Sequence, residues 1–460
     1  MTKQYLILGL GKSGLSAASY LCHQSAKVVL ADTREQVSGL EEFRKSFPDV
    51  NVYLGDLSLN LLKHIDILVI SPGLSPKHAL VKEAKQRGID VIGDIELFCQ
   101  QANSPIIAIT GTNAKSTVVT LIAKIISDAG YSVGLGGNIG MPALDLLNEA
   151  ESEPDFYVLE LSSFQLESTS SLKAMVAAIL NVTPDHMDRY DNFNDYVKTK
   201  QRIYHNCEVA LYNRDDENTY PTIDGSRNIS FGTDKSNCHE ELSYSLEKKN
   251  TQVSLLRGDE PVVTADMLRL SGTHNYLNCL AALGVCDVIG IQREKQIQSL
   301  RAFSGLAHRC ETITDINGVR WVNDSKGTNV GATLAALKGF SQAFPQKIIL
   351  ILGGVSKDAG FSSMINEINQ SVKNVLVYGQ DSSKIVADFS GQIHCPIETF
   401  ETLEQVVKNA NKLANEKNLV LFSPACASFD MFENFEHRGD IFRGMVLSLK
   451  SSSSNSLEVV

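Results

Sequence analysis

The sequence lacks the features that mark membrane, disulfide-bonded and nucleic-acid-binding chains. No uncharged apolar run reaches the roughly 18 residues a membrane-spanning helix needs. No excess of positive charge exists: 42 Lys and Arg face 53 Asp and Glu, for a net charge of −11. This balance disfavours nucleic acid or an anionic membrane as the main partner. Small phosphate ligands are not excluded, because a local site can oppose the global field. The chain has no C-x-x-C pair. Its nine cysteines are an odd number and scattered (Cys22, Cys99, Cys207, Cys238, Cys279, Cys286, Cys310, Cys395, Cys426). They read as reduced thiols in apolar stretches and argue against a disulfide framework. No signal-type apolar region precedes the strand-like start after Met1-Thr2-Lys3-Gln4, and no internal repeat of 20–50 residues is evident. These absences predict a soluble cytoplasmic protein, expected to be a monomer. The serine-rich end, 451–460, is expected to be frayed.

What is present is the composition of an ordinary globular chain, with 43 % apolar and 21 % charged residues over 460 positions. At about 150 residues per domain the length suggests three domains. Short apolar runs alternate with helix-period segments, the pattern of parallel α/β domains. The boundaries predicted are 1–97, 98–305 and 306–460. Strands are expected at Tyr5–Leu8, Lys27–Ala31, Ile67–Ile70 and Val91–Ile92. More are expected at Pro105–Ile109, Tyr157–Leu159, Ala177–Leu180 and Val209–Tyr212, then at Val319–Val322, Ile348–Leu352, Val375–Tyr378 and Leu419–Phe422. Helices are expected over Ser13–Cys22, Lys115–Asp128 and from about Asn275 to Ile289. Residues 214–262 read as polar and irregular.

Two glycine-containing turns carry the first chemical signals. Gly9-Leu10-Gly11-Lys12-Ser13-Gly14 joins a strand to a helix, with Asp32 closing the next strand. That pattern suits a dinucleotide, another nucleotide diphosphate, or a tight turn without ligand. Thr110-Gly111-Thr112-Asn113-Ala114-Lys115-Ser116-Thr117 follows a buried strand and opens a helix. It reads as a P-loop: backbone N–H groups wrap phosphates, the lysine meets β/γ oxygens and the serine hydroxyl ligates Mg²⁺. Ala114 stands where that pattern has glycine, and Ile109 replaces its first glycine.

Other ionisable or polar groups sit at strand ends. Glu160 ends a central strand, where a Mg²⁺ ligand belongs. His186 lies in Asp185-His186-Met187-Asp188-Arg189-Tyr190. Lys200, from composition alone, belongs to a solvated helix face. The third block offers Ala307-His308-Arg309, Asn323-Asp324-Ser325-Lys326-Gly327-Thr328-Asn329, Gly353–Lys357 and Ser423–Ser428, all at or just after strands. Loops along one edge of such a sheet usually carry the ligand site.

Taken together, the Thr110–Thr117 loop, Glu160-Leu161-Ser162-Ser163, Asp185-His186-Met187-Asp188 and His274-Asn275-Tyr276-Leu277-Asn278 resemble the Mur ligase family. These are ATP-dependent amino-acid ligases of peptidoglycan precursor synthesis. Gly9–Gly14, Ser71-Pro72-Gly73, Gly136–Gly140, Asn323–Lys326, and Ser423–Ser428 with Asn434-Phe435-Glu436 place it nearest the branch that adds D-glutamate. The resemblance covers nearly the whole chain. It implies a Rossmann-like N-terminal domain, a P-loop ATPase-type central domain with a parallel sheet, and a Rossmann-like C-terminal domain.

The same resemblance implies the ligands and their residues. The substrates are UDP-N-acetylmuramoyl-L-alanine, D-glutamate and ATP. Lys12, Ser13, Asp32, Thr33, Arg34, Ser71, Gly73, Asn138, Ser162 and His186 would hold the UDP substrate. Gly111, Thr112, Asn113, Ala114, Lys115, Ser116 and Thr117 would hold ATP, with Asn275 and Asn278 near adenine and Arg309 and Asp324 from the third domain. Lys326, Thr328, Lys357, Ser428 and Phe435 would position D-glutamate. Two Mg²⁺ sites are implied, replaceable by Mn²⁺: one on Ser116 and Glu160, one on His186 and Lys200, the lysine carried as a carbamate. Lys115, Glu160, His186 and Lys200 form the implied catalytic set. Ala114 departs from the family's usual glycine; its methyl is compatible only with a negative φ and no phosphate oxygen against its Cα.

The implied chemistry is physically coherent. A carboxylate is a poor acyl donor until the γ-phosphoryl of ATP converts it to an acyl phosphate, which an amine can attack. All three substrates are anions, so cations must cancel their repulsion on an acidic chain. Residues on three domains imply movement, with a hinge at Arg301–Leu306. An NAD-dependent oxidoreductase would leave the P-loop and third-domain motifs unexplained. A folylpolyglutamate synthase-like ligase should lack the UDP-binding first domain. A non-catalytic nucleotide binder is disfavoured by the presence of Lys115, Ser116, Glu160 and His186.

Overall fold

The computed structural model describes residues 3–148, 152–222, 225–234, 242–250, 252–270, 272–341, 343–356 and 360–455. Cys238 and Lys357 lie outside them. The chain divides into two compact units. The first comprises residues 1–182, 189–264 and 277–301; the second comprises 183–188, 265–276 and 302–460.

The first unit holds two sheets. β1 (Gln4–Leu8), β2 (Lys27–Asp32), β3 (Asn51–Leu54), β4 (Ile67–Ile70) and β5 (Asp90–Gly93) form a parallel sheet in the order β3-β2-β1-β4-β5. Alternate residues of β1 serve opposite faces: Ile7 packs in one core cluster, Leu6 and Leu8 in another. The order reverses between β1 and β4, so the turns after these strands flank the crevice where α/β sheets bind ligands. β3 was not expected from sequence. Its residues are half-buried or exposed, as befits an edge strand, and form no apolar run.

The second sheet combines β6 (Ile106–Thr110), β7 (Val133–Gly137), β8 (Phe156–Glu160), β9 (Ala174–Ile179), β10 (Val209–Asn213) and β11 (Arg227–Gly232), all parallel, with β12 (Ser243–Lys249), β13 (Gln252–Arg257) and β14 (Glu260–Thr264). Its order is β14-β13-β12-β11-β10-β9-β6-β8-β7, and β12, β13 and β14 pair antiparallel. Part of the segment expected to be irregular over 214–262 is thus strand, at 227–232, 243–249, 252–257 and 260–262. Its strands looked polar because few of their residues are both apolar and buried, Tyr244, Leu255, Leu256 and Val263 on β12–β14, while one end of each of these three is exposed. The two sheets share one apolar core, in which Phe98 meets Tyr157 edge-on at 5.0 Å.

The second unit carries β15 (Glu311–Ile316), β16 (Val319–Asn323), β17 (Ile348–Gly353), β18 (Val372–Tyr378), β19 (Ile397–Phe400) and β20 (Leu419–Phe422), ordered β15-β16-β20-β17-β18-β19. Only the β15 pairing is antiparallel among them. Along β17, Ile348, Leu350 and Leu352 enter one core and Ile349 and Ile351 the other, so helices cover both faces. The helix Phe435–Asn455 continues into the serine-rich end expected to be frayed; 456–460 lie outside the described residues.

The eight described cysteines form no disulfide. No described helix is long and apolar enough to cross a membrane.

Candidate active site

The phosphate-type loop occupies the C-terminal end of β6, between β8 and β9. Helix Lys115–Asp128 follows it, with the bounds the sequence predicted. Gly111 has φ +156°, and a Cβ there would press on Leu180 and the Asn181 backbone. Asn181 holds the loop from the side. Its carbonyl accepts from Thr112 N at 2.8 Å, its Oδ1 accepts from Asn113 N at 2.8 Å, and its Nδ2 donates to Asn113 O at 3.2 Å.

Ala114 caps the helix in the left-handed region, at φ +67° and ψ −6°. The negative φ expected as the condition for tolerating a methyl here is therefore not met. The turn needs a left-handed residue to aim successive N–H groups inward, and alanine adopts it at a cost of about 1 kcal/mol relative to glycine.

Lys115 Nζ donates to Gly111 O at 2.8 Å and Thr112 O at 2.9 Å. Ser116 Oγ donates to Glu160 Oε2 at 2.6 Å, and Asn138 Nδ2 donates to Glu160 Oε1 at 2.7 Å. The hydroxyl and carboxylate expected to share a metal are thus in contact, with Glu160 buried at the end of β8. No cluster of three His, Cys, Asp or Glu side chains suited to a metal occurs among the described residues. A hard cation here would be held by mixed oxygens, carboxylate and hydroxyl with phosphate, which suits Mg²⁺.

Lys200 departs from the solvated helix face read from composition: it is 2 % exposed. Helix Phe193–Gln201 turns Tyr196 and Lys200, four residues apart on one face, onto the loop. Lys200 Nζ donates to Gly111 O at 2.9 Å and lies 4.8 Å from the Tyr196 ring centroid, while Tyr196 OH and Thr112 Oγ1 are 3.0 Å apart. Neither Tyr196 nor Asn181 carries a signal in the sequence alone; only contact with the loop reveals a role for them. Ser162 caps a helical turn in a reciprocal box with Gln165.

In the first sheet, Leu10 N donates to Asp32 Oδ2 at 2.6 Å, and Arg34 forks onto both Asp32 oxygens at 2.9 and 2.7 Å. These bonds outweigh desolvation and hold the Asp32 carboxyl down at about 2. Asp32 pins the Gly9–Gly14 turn, and a Cβ on Gly14 would collide with the Gly9 carbonyl. Lys12 and Ser13 open the following helix; Thr33 and Arg34 are exposed; Ser71 and Gly73 lie in the turn after β4.

In the second unit, His186 takes a left-handed φ of +57°, and Asp185 accepts from Asn329 at 3.2 Å. Asp324 directly follows β16 and is buried, accepting from Ser423 Oγ at 2.6 Å and Cys310 N at 3.1 Å. Burial pushes its carboxyl up to about 6, against the lowering pull of these bonds and of Arg309. Lys326 Nζ lies 3.8 Å from the Phe435 ring centroid, a cation–π contact between two residues expected to share D-glutamate. Thr328 follows on the same loop, and Ser428 is buried beyond β20. Gly353 N donates to Pro424 O at 3.0 Å, joining the loops of β17 and β20. The buried Arg438, not singled out from sequence, donates to Ser325 Oγ, Ser325 O and Cys426 O at 3.0, 2.7 and 3.1 Å. Asn275 and Asn278 lie on helix Thr273–Val288, with Asn278 buried.

A phosphate loop, an acid at the neighbouring strand end and a third sheet with polar loops along one edge define a nucleotide-dependent ligase of the Mur type. The family comparisons agree: residues 3–93 match the Mur ligase MurD-like N-terminal domain, 109–286 the Mur ligase middle domain, and 308–426 the Mur ligase glutamate ligase domain. The chain belongs to the Mur ligase family, whose members form peptide bonds at the expense of ATP in peptidoglycan precursor synthesis.

Among its relatives, the UDP-N-acetylmuramoylalanine--D-glutamate ligase of Alcanivorax borkumensis is 43 % identical over 437 residues, 95 % of this chain and 96 % of that protein. The protein of that name from Pasteurella multocida is 44 % identical, covering 96 % and 97 %. Among solved structures, Thermotoga maritima MurF ligase in complex with ADP superposes with a TM-score of 0.62 at 16 % identity, over 97 % of this chain and 95 % of that one. A pseudomurein peptide ligase type C from Methanothermus fervidus gives 0.61 at 18 %, over 98 % and 100 %. At such identities these two attest the fold.

Proposed function

We propose that this chain joins D-glutamate to the carboxylate of UDP-N-acetylmuramoyl-L-alanine with cleavage of ATP to ADP and phosphate. The observation that carries the reading is the convergence of Lys115, Ser116, Glu160 and Lys200 on one loop, within a chain whose relatives bear that substrate and that amino acid in their names.

The assignments follow the three segments 1–97, 98–305 and 306–460. The Gly9–Gly14 turn presents helix N–H groups to a diphosphate, with Lys12, Ser13, Asp32, Thr33, Arg34, Ser71, Gly73, Asn138, Ser162 and His186 around the UDP substrate. The central loop wraps the ATP phosphates, with Lys115 leaving its loop carbonyls for the β/γ oxygens. Asn275 and Asn278 serve adenine, Arg309 and Asp324 reach ATP, and Lys326, Thr328, Lys357, Ser428 and Phe435 receive D-glutamate. Magnesium ions would supply positive charge beside the transferring phosphoryl group, held by Ser116 and Glu160 and by His186 with Lys200 as its carbamate.

In the reaction, a carboxylate oxygen of the UDP substrate attacks the γ-phosphorus, and ADP leaves. The deprotonated amine of D-glutamate then adds to the acyl carbon. The tetrahedral intermediate collapses, expelling phosphate that carries the original carboxylate oxygen. Lys115 and Arg309 offset the charge spread over the phosphoryl oxygens.

Oxygen-18 in the substrate carboxylate tests this path. One label per turnover should appear in released phosphate. Unlabelled phosphate alongside correct product would contradict the acyl-phosphate route.

A further inference from the structure

Arg189 lies outside every assigned site, yet it ties a loop of the second sheet to the turn after β4 in the first. Its Nη1 donates to Pro72 O at 3.0 Å. Its Nε and Nη2 fork onto Glu167 Oε1 and Oε2 at 3.3 and 2.6 Å. Its guanidinium carbon stands 4.0 Å from the Phe164 ring centroid. The two charged side chains are 11 % and 16 % exposed. A cavity of about 50 Å³ beneath them is lined by Ser71, Pro72, Leu74, Phe164, Glu167 and Arg189.

These contacts join two pieces of chain with distinct proposed tasks. Pro72 is the middle of the Ser71-Pro72-Gly73 turn after β4. Phe164 and Glu167 belong to the segment that leaves Glu160 through the Ser162 cap. Proline has no N–H to anchor the turn through position 72, so its carbonyl is the handle available there. A guanidinium suits the task because its planar fork can hold a carboxylate with two donors and still spare a third for the carbonyl.

We propose that Arg189 is a positioning residue for the UDP substrate: clamped by Glu167 and Phe164, it fixes the Ser71–Gly73 turn in the conformation that receives that substrate. The inference rests on the assignment of Ser71 and Gly73 under the proposed function. Without Arg189 the turn sits over an enlarged cavity and must be ordered on binding, which weakens the ligand held by the turn and leaves the ligand of the central loop alone.

The test is calorimetric titration of the full chain with UDP-N-acetylmuramoyl-L-alanine and, separately, with a non-hydrolysable ATP analogue and Mg²⁺. Arg189→Ala should raise the Kd for the UDP substrate at least about tenfold and leave the analogue within about twofold. Arg189→Lys, which keeps the charge without the fork, should fall between parent and alanine. It also serves if the alanine variant fails to fold. Equal losses for both ligands, or a UDP-substrate Kd within about twofold of the parent, would overturn the proposal. A parent chain that binds the analogue and not the UDP substrate would overturn the functional reading, and the proposal with it.

Discussion

Lys115 and Lys200 donate to the same acceptor, the carbonyl oxygen of Gly111, at 2.8 and 2.9 Å. Their nitrogens are therefore within 5.7 Å of each other, the sum of those two distances. At an effective dielectric constant of about 20, two ammonium groups so placed repel by roughly 3 kcal/mol. A carbamate on Lys200 would reverse the sign of that interaction and supply oxygen to a hard cation.

Lys200→Ala should accordingly lose turnover by about a hundredfold or more, the range expected when a charged group acting on the transition state is removed. ¹³C-bicarbonate should give the parent chain a carbamate carbon resonance that is absent from the variant. Near-normal turnover of Lys200→Ala would refute the assignment.

Ala114 offers a gain rather than a loss. Its φ of +67° is one that glycine adopts freely. Ala114→Gly should raise stability by about 0.5–1 kcal/mol less the added entropy of the unfolded chain, and should leave or improve the Kd for ATP. A lowered melting temperature together with weaker ATP binding would show that the methyl is accommodated without strain.

Asp324 links burial to pH. Its carboxyl is raised from 3.8 to about 6 in the folded chain. The folded state therefore holds the proton more tightly than the unfolded one. The contribution to stability is complete below the unfolded value and is lost as pH rises through about 6, a cost of up to about 3 kcal/mol at neutral pH. Asp324→Asn should raise the melting temperature relative to the parent at pH 7.5 but not at pH 4, while lowering ATP-dependent turnover. A stability difference that does not vary with pH would contradict this.

One of the five places where the chain passes between the compact units falls between Arg301 and Ala302, at the start of the expected hinge, in which Gly305 takes φ +89°. Small-angle scattering should show a smaller radius of gyration when an ATP analogue and the UDP substrate are added together. An unchanged profile would count against a closing motion.

The buried parallel strands and the helix Lys115–Asp128 were legible because their apolar runs and periodicity need no partner to be recognised. β3 and the β12–β14 meander were not, since short strands with few buried apolar residues resemble polar loops in a single sequence. In the site, Glu160 could be read from its place at a strand end, and the loop from its spacing. Lys200 could not: a lysine two residues from Lys198 on a polar helix looks solvated until Tyr196 and the Gly111 carbonyl are seen to enclose it. Asn181, Arg189 and Arg438 act through backbone carbonyls and amides distant in sequence, which no local pattern records.

The most direct measurement is phosphate release from ATP in the presence of UDP-N-acetylmuramoyl-L-alanine, with D-glutamate, L-glutamate, D-aspartate or no amino acid added. Release confined to D-glutamate, with a product of matching mass, is the predicted result. Release with none of them, from a chain that binds ATP, would contradict the assignment of a working ligase and point to Ala114.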